Sequence, residues 1–89
     1  MSYSLEIHPK CREEISKLCR KNLVLEEALR KKMNEILENP QHYKPLKYDL
    51  AGERRVHIMK SLVLRFEIDE KNKLVRFLAF SHHDNAYKR

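Results

Sequence analysis

The sequence predicts an α+β domain, a helical hairpin packed on one face of a small, mostly antiparallel four-stranded sheet, with elements in the order β-α-α-β-β-β. Three observations predict it. Apolar and polar residues alternate strictly at the start of the chain and again after Gly52, the period of half-buried strands. Between them lie two segments whose apolar residues recur at helical spacing. Asn39-Pro40 separates the helical half from the rest, so the helices are segregated to one side of the sheet. The chain of 89 residues is long enough for one small domain, taken to span 1–89.

The first strand covers residues 2–8, with Tyr3, Leu5 and Ile7 on its inner side. Pro9 then suits the first turn of a helix, where its missing N–H costs nothing. Cys11, Ile15, Leu18 and Cys19 form the apolar stripe of that helix, and Asn22 reads as its C-terminal cap. A second helix over 24–38 buries Leu25, Ala28, Leu29, Met33, Ile36 and Leu37. Its charges, like those of the first helix, read as a solvated outer face. Residues 41–52 form a basic, aromatic connection ending at Gly52. Two strands follow, joined near Lys60-Ser61: Val56 and Ile58, then Leu62, Leu64, Phe66 and Ile68, share the helix side. That places Arg55, His57 and Arg65 together on the other face. Residues 69–73 make a hairpin turn, and 74–81 load both faces with apolar side chains, as an interior strand does.

Charge points to the kind of partner. The net charge is +6, with eight Lys/Arg against seven Asp/Glu in residues 1–39 and eleven against six in residues 40–89. The excess therefore collects in the half that reads as sheet, together with four of the five histidines, which favours a polyanion bound there. Cys11 and Cys19 lie on one helix, roughly 12 Å apart by helical rise and out of disulfide reach, so they read as small apolar residues of a reducing, cytoplasmic compartment. No secretory signal and no bilayer-length apolar run is visible, so no membrane is expected.

Several chemistries lack their residues. The carboxylates are dispersed, with Glu13, Glu14, Glu35 and Glu38 on helix exteriors, and His82-His83-Asp84 alternate across a strand, so no metal and no other cofactor is expected. A single glycine excludes a phosphate-cradling loop, and neither cysteine falls in the His-rich half. What the residues permit is metal-independent cleavage of RNA, in which the ribose 2′-OH is the nucleophile. Such a reaction needs a base, an acid and cations around the phosphate. His57, His83, Lys44, Tyr87, Arg55 and Arg65 suit these roles, imidazole for its pKa and guanidinium for its planar, permanent charge.

The helical hairpin ending in Asn39-Pro40, then Lys44-Pro45-Leu46, Gly52, Arg54-Arg55-Val56-His57-Ile58, Leu62-Val63-Leu64-Arg65-Phe66-Glu67-Ile68 and His83-x-x-x-Tyr87, resembles the RelE/ParE toxin superfamily, above all the branch of YafQ-like messenger-RNA interferases. The resemblance covers nearly the whole chain and implies one RelE-like toxin domain. It implies a toxin of a type II toxin–antitoxin system that enters the ribosome and cuts messenger RNA, and a cognate RelB-like antitoxin that neutralises it. On this resemblance His57 and His83 are acid and base, assisted by Tyr87 and Lys44, while Arg54, Arg55, Arg65, Lys47 and Lys60 hold phosphate. The sequence departs from the branch at Lys44, where a histidine is usual, and at Ser61-Leu62, where Asp-Trp is usual. It departs from RelE proper at Val63, where an arginine is usual, although Arg65 lies two residues further on. Two other readings share the fold: a ParE-like toxin that inhibits gyrase by contact without catalysis, and an inactive RNA-binding module. The sequence leaves open whether the free chain forms a homodimer.

Overall fold

A computed structural model describes residues 2–43 and 53–82. The elements are β1 (Ser4–Ile7), α1 (Pro9–Cys19), α2 (Leu23–Glu38), a 3-10 turn (Pro40–His42), β2 (Glu53–Ile58), β3 (Leu62–Asp69) and β4 (Leu74–His82). The four strands form one sheet in the order β1-β4-β3-β2. β2, β3 and β4 pair antiparallel, whereas β1 runs parallel to β4, so the sheet is mixed. The strand expected to be interior is interior: β4 lies between β1 and β3.

Local chemistry sets the helix limits. His8 caps α1, its Nδ1 accepting from the Lys10 N–H at 3.1 Å, and Pro9 follows in the first turn. Asn22 does not end α1 in a left-handed cap as its position suggests. Its side chain starts α2, accepting from the Leu25 N–H at 3.0 Å, while its own N–H donates to the Cys19 carbonyl at 3.1 Å. An asparagine between two helices can serve both ends, and here the N-cap geometry prevails.

The core forms between the hairpin and one sheet face. Cys11, Cys19, Leu25, Leu29 and Ile36 pack with Ile58, Leu62, Leu64, Phe66, Val75, Phe77 and Phe80. Both cysteines are free thiols. Burial, reinforced by the nearby Glu14 carboxylate, pushes the Cys11 thiol up to about 12, against a smaller opposite pull from Arg65 and Arg12.

Strict alternation in β4 would put Phe77 and Phe80 on opposite faces. The structure avoids this with a β-bulge: Phe66 pairs with Phe77 and Arg65 with Ala79, leaving Leu78 without a counterpart. Both phenylalanines therefore face the helices. Beyond the bulge β1 no longer covers β4, and Glu14 of α1 takes over. Its Oε1 accepts the Phe80 N–H at 2.9 Å, so this carboxylate, expected on a helix exterior, turns toward the sheet. At the opposite end Tyr3 donates to Glu70 at 2.8 Å, and Gln41 donates to both, tying the 3-10 turn to the β3–β4 hairpin.

Candidate nucleic-acid interface

Residues directly opposite one another on paired strands share a face. On the face away from the core, three rows result. Glu6, Arg76, Glu67 and Glu53 make the first, Ala79, Arg65 and Arg55 the second, and Ser81, Val63 and His57 the third. The expected gathering of Arg55, His57 and Arg65 on one face is therefore present. His57 is exposed and the two arginines are half-buried, while Val63 on β3 and Ala79 on β4 beside them are buried.

Arg55 and Arg65 stand directly opposite each other, a like-charge pairing that sheets ordinarily avoid. The diagonal neighbour Glu53 offsets it, its Oε2 lying 3.3 Å from Nη1 of Arg65. Arg65 Nε is buried without a hydrogen-bond partner among the described residues. The first row is electrically satisfied, since Arg76 bonds to both Glu6 and Glu67, whose carboxylates hold its guanidinium firmly in the charged form. Arg55 and Arg65 thus stand in one row, between the Arg76 row and His57.

Arg54 does not join this group. It pairs with Phe66 on the helix side, and its Nε donates to the Tyr43 carbonyl at 2.7 Å. The two-residue period of a strand forbids Arg54 and Arg55 from sharing a face. Lys60 is exposed in the turn between β2 and β3. His83, Tyr87, Lys44 and Lys47 lie outside the described residues.

Sequence reasoning missed Glu53 as the counterion of Arg65, although its spacing from Arg55 and His57 already placed it on their face. It also missed a cavity of about 250 Å³ at the sheet edge, where Lys31, Lys32 and Glu35 of α2 meet His57, Ile58 and Met59. No signal in α2 alone distinguishes those lysines from a solvated face. A second, apolar cavity of about 240 Å³ lies between β1 and the hairpin, lined by Leu5, Ile7, Ile15, Leu29, Met33 and Leu37. Leu5 is 51% exposed there because β1 is an edge strand. Among the described residues no cluster of His, Cys, Asp and Glu fit to hold a metal ion occurs, and no helix is long and apolar enough to cross a membrane.

Comparison with known proteins agrees with the fold and assigns the family. Residues 5–87 match the family described as ParE toxin of type II toxin-antitoxin system, parDE. A protein named RelE4 from Methanocaldococcus jannaschii is 47% identical over 87 residues, covering 98% of this chain and 93% of its own. Among solved structures, the toxin–antitoxin complex RelBE2 of Mycobacterium tuberculosis contains a chain that superposes with a TM-score of 0.77 at 21% identity, covering 93% of this chain and 100% of its own. The DinJ-YafQ complex of E. coli contains one with a TM-score of 0.76 at 19% identity, covering 99% and 100%. The chain is a toxin of a type II toxin–antitoxin system and belongs to the RelE/ParE family.

Proposed function

We propose that this toxin is an endoribonuclease that cuts messenger RNA on the ribosome, in the cytoplasm, without a metal. The observation that carries the reading is the placement of Arg55 and Arg65 opposite each other beside an exposed His57. Two guanidiniums on one face, one of them already beside Glu53, can hold a phosphodiester in the bidentate geometry guanidinium favours. In the reaction the 2′-oxygen attacks phosphorus as a base takes its proton. The P–O5′ bond breaks, and an acid protonates the departing 5′-oxygen. The products are a 2′,3′-cyclic phosphate and a 5′-hydroxyl. We assign His57 and His83 to proton transfer and Arg55 and Arg65 to the phosphate, with Lys44, Tyr87, Lys47 and Lys60 as further candidates. Arg54, which is bonded to a backbone carbonyl on the other face, acts by holding residue 43 at the entrance to the segment that carries Lys44 and Lys47.

The partner is a cognate antitoxin, in keeping with solved relatives captured as toxin–antitoxin complexes. The largely apolar cavity beside β1 is the surface it fits, since an edge strand and apolar side chains bordered by Glu26, Arg30 and Asn34 suit an amphipathic segment.

A reconstituted translation reaction tests the activity. Wild-type toxin is expected to cut messenger RNA only when ribosomes are present, and a His57→Ala/His83→Ala double variant is expected to lose cleavage by at least about 100-fold, the scale of general acid–base catalysis. The matching family is described by its ParE members, which favours a second reading, contact inhibition of gyrase. Inhibited supercoiling with intact RNA would establish that reading instead.

A further inference from the structure

The cavity at the sheet edge has no role in the site described above, although it opens at His57. Lys31 and Lys32 line it from α2, His57 from the end of β2 and Met59 from the turn that follows. Neighbouring residues on a helix diverge by about 100°, so the two successive lysines reach the cavity in different directions from its α2 side. Lys32 is tied to Glu35 at 3.1 Å, which partly neutralises the one carboxylate of the cavity. Lys31 has no ion pair among the described residues. Met59 adds an unusual element. Its φ is 59°, left-handed backbone that a non-glycine residue adopts at a cost, and its side chain is 57% exposed. A flexible, polarisable thioether displayed beside cations is a surface on which a nucleobase can lie. The volume, about 250 Å³, suits one backbone unit crossing the cavity better than an enclosed ligand.

We propose that this groove between α2 and the edge of β2 is a second RNA site, in which Lys31 and Lys32 hold backbone phosphates and Met59 packs a base of the same strand that His57 handles. The inference rests on the ribonuclease reading and extends it from the reacting phosphate to the nucleotides next to it. RNA is favoured over an acidic peptide because His57 borders both the groove and the candidate cleavage face, so a strand crossing that face reaches the groove around the edge of β2. The groove thereby makes affinity depend on RNA length.

Anisotropy titrations of the full chain against a 2′-O-methylated, uncleavable decanucleotide and a dinucleotide test this. Lys31→Ala/Lys32→Ala is compared with Arg20→Ala/Lys21→Ala, which removes the same charge at the hairpin turn. Wild type is expected to bind the decanucleotide more tightly. The lysine variant is expected to flatten the salt dependence for that ligand by about 1.4 logarithmic units per decade, or about 0.7 for each phosphate. Between about 50 and 200 mM salt this is about a sevenfold difference in affinity lost. Dinucleotide binding and the Arg20/Lys21 variant should keep the wild-type slope, and Met59→Ser should weaken decanucleotide binding without altering it. An unchanged slope in the lysine variant, with wild type binding RNA, overturns the groove and leaves the ribonuclease reading standing. Equal flattening in the Arg20/Lys21 variant reduces the effect to net charge and also overturns the groove. A polyglutamate peptide that matches RNA in affinity and in lysine dependence overturns the assignment to RNA. Wild type binding neither oligonucleotide overturns the groove and leaves the ribonuclease reading to the translation assay, which includes ribosomes.

Discussion

Replacing Glu53 by Gln changes one charge and should move stability and anion binding in opposite directions. Glu53 and Arg65 lie 3.3 Å apart with side-chain exposures of 14% and 28%. At that distance the gross attraction is about 5 kcal/mol for an effective dielectric constant near 20, most of it offset by desolvation. The pair is neither surface-exposed, where such bridges contribute at most about 1 kcal/mol, nor sealed, where breaking one costs about 3–5 kcal/mol. A net loss of about 2 kcal/mol follows. For a domain of this size that lowers Tm by about 10 °C. The loss includes the repulsion of Arg55 by Arg65, which the carboxylate no longer offsets. An added anion should therefore recover much of it. Thermal unfolding in chloride and in inorganic phosphate, at matched ionic strength, provides the assay. Phosphate should raise the Tm of Glu53→Gln more than that of wild type, and RNA binding should become steeper in salt by about 0.7. A variant that loses stability yet gains nothing extra from phosphate would refute the facing arginines as an anion site. So would a variant as stable as wild type.

Two further outcomes follow from the interior. Glu14→Ala removes the acceptor of the Phe80 N–H and should cost about 1–3 kcal/mol in a denaturant titration, whereas alanine at the neighbouring, exposed Glu13 should cost little. Cys11, pushed up from 9.0 to about 12, carries about 1,000-fold less thiolate than an ordinary thiol at neutral pH. A disulfide reagent should leave it unmodified in the native protein and label it at the rate of unfolding; prompt labelling of Cys11 would contradict its burial.

The sequence made the sheet legible because alternation is a local signal. Val56, Ile58, Leu62 and Leu64 read correctly as one face, and with them Arg55, His57 and Arg65 as the other. Arg54 shows the limit of reading by motif, since grouping it with its neighbour ignores the pleat that separates them. The bulge at Leu78 was not legible. Its sequence is merely apolar, and only the demand of the helix layer for both Phe77 and Phe80 reveals the extra residue. Glu14 reads as solvent-facing because helix periodicity reports which side is apolar and not what lies along its border, and the same signal gives Lys31 and Lys32 as solvated without showing the cavity they line. Their roles depend on where two distant edges of the sheet come to rest against the hairpin.

The unmatched residue in β4 makes one strand carry two phases. Up to Phe77 it is paired on both edges, with β1 and with β3, and from Ala79 onward with β3 alone. Removing Leu78 would therefore regularise the strand, leaving Phe77, Ala79, Phe80 and Ser81 on the faces they already occupy. A second residue lost between Phe77 and Phe80 would instead turn Phe80 outward and Ser81 inward, and swap the lining of the face that carries His57. Length variation among relatives should accordingly be tolerated by one residue at this point and penalised beyond it.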